Sequence, residues 1–215
     1  MQNVQRVLQP IILHQDQSGD TVLHQLALHH FPSLLDDLLA THSELAYIKN
    51  NHSHYPIHTA VLNNQLPNIQ LLLAVNDGPM LADNHGWTAL HYAARRSKPE
   101  ILDYCCQITP NIDLLDNKGQ SPLMLAAALG NLSAMIKLIE HGANVNIVDK
   151  YGLTVLHHAV ESGNENVVGW LLENTTVDIH AKDYRNKTAL QYTEHTRHDG
   201  IKGLLSEHHT MGNGI

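Results

Sequence analysis

Aromatic residues make up only 5% of this 215-residue chain, with one phenylalanine and two tryptophans. Strand-rich folds lean on aromatic and β-branched side chains, whereas Leu, Ala, Ile and Val carry the apolar load here, a balance suited to close helix packing. Cysteine is nearly absent as well. The two cysteines, Cys105 and Cys106, are neighbours, so they cannot close an unstrained disulfide and lack the CxxC spacing of a metal site. A reducing compartment fits that usage. No segment reaches the roughly 20 apolar residues of a membrane span, and the opening MQNVQRVLQPIILHQD, broken by Pro10, is too short for a secretory signal. A net charge of -8 with neutral histidines argues against nucleic-acid binding, although histidine protonation near pH 6 would erode it. The chain also lacks a phosphate loop, an HExxH motif, a nucleophile elbow and a carboxylate pair placed for general acid-base work. The expectation is therefore a protein without enzymatic activity.

What the chain has in quantity is histidine, 18 residues, and repetition. The segments DTVLHQLA, YPIHTAV, WTALHYAA, QSPLMLAA, LTVLHHAV and KTALQYTE recur with anchors at Thr21, Tyr55, Thr88, Ser121, Thr154 and Thr188, separated by 34, 33, 33, 33 and 34 residues. Five residues before each anchor stand Asp16, Asn50, Asp83, Asp116, Asp149 and Asp183; two before it stand Gly19, Ser53, Gly86, Gly119, Gly152 and Asn186. These are turn residues, since Asp and Asn close turns through their side chains and Gly or Asn accepts positive φ. Two past each anchor is Leu or Ile. A short first helix therefore starts at a Thr or Ser N-cap in five units, with Pro56 and Pro122 at its first position. Small residues at Ala60, Ala93, Ala126 and Ala159 let neighbouring helices approach, and a second apolar run follows each first helix, carrying the pairs Leu138-Ile139 and Leu171-Leu172 and, in unit three, Cys105-Cys106. One turn-helix-turn-helix unit cannot bury both of its faces, so the units must stack.

The segments TALHYAA, GANVNIVDKYG and TVLHHAVESGN resemble the ankyrin repeat, and the likeness extends over about residues 16 to 206. It implies an all-α solenoid of stacked helix-turn-helix units joined by hairpin-like loops, with units starting near residues 16, 50, 83, 116, 149 and 183. Residues 1–15 would form an N-terminal capping helix around Asn3 to Gln9, and 207–215 a flexible C-terminal tail. Unit two departs from the pattern at Ser53 and Tyr55, and unit six at Gln191 and Glu194. The resemblance implies that His24, His58, His91 and His157, each one past the first-helix Leu or Ile, are structural, bonding near the helix start and tying neighbouring loops.

Geometry argues against metal at the histidines. Packed helices lie about 8–10 Å apart, whereas zinc holds each nitrogen at about 2.0–2.1 Å, so histidines of successive units cannot share an ion. Within TVLHHAVESGNENV, His157 and His158 do not face each other on a helix. His158 and Glu161 can meet, but two ligands make a poor site. The pairs His195-His198 and His208-His209 read as solvated surface. No cofactor and no metal are expected.

The same resemblance implies a concave, partner-binding surface made of turn tips and first-helix faces. Its candidates in unit three are Trp87, Tyr92, Arg95 and Arg96; units four and five add Lys118, Lys150, Tyr151, His158 and Glu161; unit six adds Tyr184, Arg185, Lys187 and Tyr192, with His195 and Thr196 beside them. Six of the 13 Lys and Arg fall at these positions against one acid, Glu161. Trp, Tyr and Arg dominate interface hot spots, and Arg pairs with carboxylate or phosphate. The expectation is a monomeric protein-interaction module, adaptor, inhibitor or scaffold, gripping an acidic or phosphorylated segment of a partner protein; the bland alternative is that these are solvated loop residues. No membrane partner is expected, and the expected location is the cytoplasm, with the nucleus, or the host cell for an effector, as alternatives. The other class is an accessory subunit or bacterial effector that brings a substrate to an enzyme on another chain, a reading to which frequent Asn, Gln and His with few Arg lend some support.

Overall fold

Thr and Ser at the anchors do what their position requires. Backbone N–H groups at a helix start have no partner within the helix. Ser121 Oγ accepts the N–H of Met124 at 3.3 Å, and Thr21, Thr88 and Thr154 each donate their own N–H, at 3.2 Å, to an imidazole three residues on. Thr188 does the same with a glutamine, its N–H reaching Gln191 Oε1 at 3.0 Å. This is the capping-box exchange, with histidine in the place of the usual glutamate.

The structure, a computed structural model, describes residues 13–75, 77–96, 98–194 and 198–212, with side chains described through residue 208. Among these residues the first helices are α1 (Val22–Leu28), α3 (Pro56–Leu62), α5 (Ala89–Arg96), α7 (Pro122–Ala128), α9 (Val155–Ser162) and α11 (Ala189–Tyr192). The second helices are α2 (Pro32–Thr41), α4 (Leu66–Ala74), α6 (Pro99–Ile108), α8 (Leu132–Glu140), α10 (Glu165–Asn174) and α12 (Asp199–Gly212). The chain is all-α, as expected. Strand-like pairing among the described residues amounts to two isolated antiparallel bridges, Val148 to Thr154 and Lys182 to Thr188, at the bases of the last two turns.

The chain divides into two units, one through Pro110 and one from Asn111. In the first, α1, α3 and α5 pack in sequence, and α2 packs on α4. In the second, α7, α9 and α11 pack in sequence, and α10 packs on α12. Leu23, Ile57, Leu90, Leu123 and Leu156 are all fully buried. Truncating any one to alanine would cost about 2–5 kcal/mol, because the packed surroundings of a fully buried side chain relax only partly into the hole it leaves. Ala60, Ala93, Ala126 and Ala159 are buried at the helix contacts, and Cys105 and Cys106 are buried in α6 outside any disulfide. Burial pushes the Cys105 thiol up to about 12, so it is unreactive at neutral pH.

The expected capping helix around Asn3 to Gln9 lies outside the described residues, as do His195 and Thr196. At the other end α12 runs through Gly212, so residues 207–212 continue the last second helix past the expected boundary at 206.

Candidate partner-binding site

Each unit presents a turn built the same way. The aspartate or asparagine five before the anchor accepts two backbone N–H groups with one side-chain oxygen. For Asp83 these come from His85 at 2.7 Å and Trp87 at 2.8 Å; for Asp149 from Tyr151 at 2.8 Å and Leu153 at 2.9 Å; for Asp183 from Arg185 at 2.9 Å and Lys187 at 2.8 Å. Asp16, Asn50 and Asp116 bind in the same way. The residue two before the anchor takes positive φ in all six turns, with Ser53 at 65° and Asn186 at 63° standing where the others have glycine. Adjacent turns are then tied together. Asn51 N–H donates to Ser18 O, Lys150 N–H to Lys118 O and Tyr184 N–H to Tyr151 O, each at 3.0 Å. Glycine is needed here for a second reason: a Cβ on Gly152 would stand 2.8 Å from the Tyr184 nitrogen, and one on Gly119 2.8 Å from that of Lys150.

The second oxygen of the turn aspartate binds a side chain from the first helix, four past the anchor. Tyr92 donates its hydroxyl to Asp83 Oδ2 at 2.7 Å, Tyr192 to Asp183 Oδ2 at 2.6 Å, and His158 Nε2 lies 3.1 Å from Asp149 Oδ2. Gln25 reaches Asp16 Oδ2 in the same way. Tyr92, 6% exposed, and His158, 3% exposed, are therefore interior residues, and Tyr192 is half-buried. This corrects their expected place on the binding face: a carboxylate nine residues earlier draws each side chain in. His158 Nδ1 stands 4.0 Å from exposed Glu161, so the two do meet, with the buried Asp149 as the stronger partner. Burial alone would raise Asp83 and Asp183, yet the hydrogen bonds from backbone N–H groups and tyrosine hydroxyls hold both below the ordinary carboxylate range. Burial and the Asp183 bond push the Tyr192 phenol up to about 12. Tyrosine and histidine four past the anchor, with aspartate five before it, were the sequence signal for this bridge.

The repeat histidines are all fully buried. His24 Nε2 lies 3.0 Å from His54 O, His58 Nε2 3.0 Å from Leu81 O, and His157 Nε2 3.1 Å from Lys187 O. A carbonyl can only accept, so Nε2 carries the proton and Nδ1 is left to accept from the helix start. Thr21, Thr88 and Thr154 hydroxyls lie 2.9, 3.0 and 2.9 Å from the Nδ1 of His24, His91 and His157. Both nitrogens are used by the neutral ring, and burial pushes His24, His58 and His157 below the ordinary imidazole range, His58 to about 4. Among the described residues no group of three or more His, Cys, Asp or Glu side chains is placed to hold a metal ion.

Sequence reasoning missed Asn68. Buried on α4, it donates its amide to Leu26 O at 3.0 Å and His29 O at 2.6 Å, closing the end of α1 one repeat away. Asn164 does the same for Gly130 O at 3.1 Å.

The remaining candidates face outward. In the first unit Arg95 and Arg96 are exposed, and the Arg95 guanidinium lies 5.4 Å from the centre of the half-buried Trp87 ring. In the second unit Lys118, Lys150, Glu161 and Arg185 are exposed, Lys187 is half-buried, and Tyr151 and Tyr184 are 60% and 74% exposed. Asp83, Asp116, Asp149 and Asp183, the aspartates of these turns, are buried and hydrogen-bonded and do not offset the cations toward solvent. No described helix is long and apolar enough to cross a membrane.

A family model for ankyrin repeats (3 copies) matches residues 23–114, 105–183 and 134–212. Among curated proteins the chain is similar to the nuclear factor NF-kappa-B p105 subunit of Rattus norvegicus, 33% identical over 93 residues, covering 41% of this chain and 10% of that protein. It is also similar to the B-cell lymphoma 3 protein homolog of Mus musculus, 30% identical over 90 residues, covering 40% of this chain and 20% of that protein. The chain thus matches between a tenth and a fifth of the length of these relatives. Among solved structures, the ankyrin repeat domain of Bcl-3, described as a unique member of the IkappaB protein family, superposes with a TM-score of 0.79 at 26% identity, covering 89% of this chain and 87% of that one.

Proposed function

Because the chain belongs to the ankyrin repeat family, we propose that it is a protein-interaction module without catalytic activity of its own, binding an acidic or phosphorylated segment of a partner protein. The observation that carries this is electrostatic. A protein of net charge -8 turns Arg95 and Arg96 outward with Trp87 in its first unit, and Lys118, Lys150 and Arg185 outward with Tyr151 and Tyr184 in its second, while the turn aspartates Asp83, Asp116, Asp149 and Asp183 are buried. Tyr92 in the first unit and His158 and Tyr192 in the second act indirectly, by holding the turns that display these side chains. The adjacent, buried cysteines, outside any disulfide, favour a reducing location, cytoplasm or nucleus, and the module works as a monomer. An accessory subunit or a delivered effector would use the same side chains, and no contact in the structure favours either over an adaptor.

The test is affinity capture of a partner by the wild-type chain and by a variant with Arg95, Arg96, Lys118, Lys150 and Arg185 all changed to alanine, followed by titration of the identified partner at 50 and 300 mM salt. Binding that weakens with salt and falls at least tenfold in the variant supports the reading. Binding indifferent to both refutes it.

A further inference from the structure

The two units differ at their turn tips. In the first, the tip pairs are Gln17 and Ser18, Asn51 and His52, Asn84 and His85, with no lysine or arginine. In the second they are Asn117 and Lys118, Lys150 and Tyr151, Tyr184 and Arg185. Each second-unit tip carries one cation, and Lys118, Lys150, Tyr151, Tyr184 and Arg185 are all exposed.

These tips form a row of fixed spacing. Lys150 N–H binds Lys118 O and Tyr184 N–H binds Tyr151 O, each at 3.0 Å. One such bond plus one Cα-to-Cα step of about 3.8 Å separates equivalent positions, so successive tips lie at most about 10 Å apart and three tips span about 20 Å. An extended chain rises about 3.3 Å per residue, so six to eight residues cover the row. The cations are spread singly along it. A phosphorylated side chain concentrates about -1.5 to -2 charges at one point and is best received where several guanidinium groups converge; single carboxylates spaced along a strand match one lysine or arginine per tip. In this register Tyr151 falls between Lys118 and Arg185 and Tyr184 follows Lys150 in the other row, and their exposed rings add apolar contact at low entropic cost.

We infer that the partner segment is an extended, glutamate- or aspartate-rich stretch of six to eight residues, seated on the second-unit tips at residues 117–118, 150–151 and 184–185 and making no equivalent contact with the first-unit tips. This placement rests on the interaction-module reading above and narrows it to one unit and one chemistry.

Fluorescein-labelled glutamate-rich peptides of three, six and nine residues, titrated into the full chain at 50 mM salt and read by anisotropy, test it. Affinity should climb from three residues to six and level off by nine. Lys118→Glu, Lys150→Glu and Arg185→Glu should each weaken the nine-residue peptide about three- to tenfold, while the triple first-unit variant Gln17→Glu, His52→Glu, His85→Glu, at side chains that are also exposed, should leave it within twofold. All these side chains are exposed and the tip ladder is made by backbone, so the variants should keep the wild-type thermal midpoint. A three-residue peptide that binds as well as the nine-residue one, a first-unit variant as damaging as the second-unit tip variants, or a phosphoserine tripeptide that outbinds the longest glutamate peptide would each overturn the placement and leave the interaction module standing. Absence of binding by any peptide, phosphorylated or not, together with a natural partner indifferent to the tip reversals, would overturn both.

Discussion

Replacing His58 by glutamine should flatten the acid side of the stability profile. The His58 ring is fully buried, accepts the Tyr55 N–H at Nδ1 at 3.3 Å and donates from Nε2 to Leu81 O at 3.0 Å. Protonation would set two N–H donors against each other at Nδ1. Burial, partly opposed by the Leu81 bond, lowers its pKa from 6.5 to about 4. The groups around it are the rings of His54, Tyr55 and Tyr92, with Asp83 and Lys49 acting through their charges. The folded value lies below the unfolded one, so the unfolded chain binds the proton first. The stability is therefore complete above about pH 6.5, is lost as pH falls from there toward 4, and is constant below. At about 1.36 kcal/mol per pKa unit the full loss is roughly 3 kcal/mol, and at pH 5 about 2 kcal/mol has gone. Lowered values at His24, His54 and His157 act in the same direction. Asp113, raised chiefly by burial, opposes them at more acid pH, and the lowered Asp83 and Asp183 release their stabilisation only below about pH 3.8. Glutamine is the informative replacement because Gln191 already serves this position in the last unit, accepting the Thr188 N–H without titrating. Urea unfolding followed by circular dichroism at pH 7.5 and 5.0 should show wild type losing about 2 kcal/mol more than His58→Gln. Parallel losses in the two proteins would refute the linkage argument.

The turn geometry makes three further predictions. Gly152→Ala should cost more than Gly142→Ala in urea unfolding: both have positive φ, at 79° and 91°, but only the Gly152 Cβ meets a neighbouring turn, so the excess, about 1 kcal/mol or more, isolates the close approach. Ser53→Gly should stabilise by about 1 kcal/mol by relieving a serine at φ 65°, whereas Asn186→Gly should change little, because asparagine tolerates that conformation; equal gains would contradict the strain argument. Tyr92→Phe should cost about 1–3 kcal/mol, since it leaves Asp83 Oδ2 one donor short in a buried setting, and should move acid unfolding upward in pH as Asp83 loses a bond to its charged form; an unchanged acid midpoint would show that the backbone donors alone hold that carboxylate low.

The parts of this protein legible from the chain were those with short-range causes. Anchor spacing, Thr and Ser N-caps, turn aspartates and positive-φ glycines each act within about five residues, and six repetitions set the phase; hence the all-α repeat fold. Gln25, Tyr92, His158 and Tyr192 mark where that reasoning stopped. They sit on a helix face that helical phase alone assigns to solvent, yet the turn folds back over the helix start and places a carboxylate nine residues upstream within hydrogen-bond distance. Only tertiary structure could decide their direction. The same holds for Asn68, whose partners lie about 40 residues away, and for the tip ladder, where the backbone of one repeat binds that of the next. Local chemistry determined what each unit is; the choice of which polar side chains are consumed inside it, and which are left to meet a partner, came from distances that exist only after the units are folded and stacked.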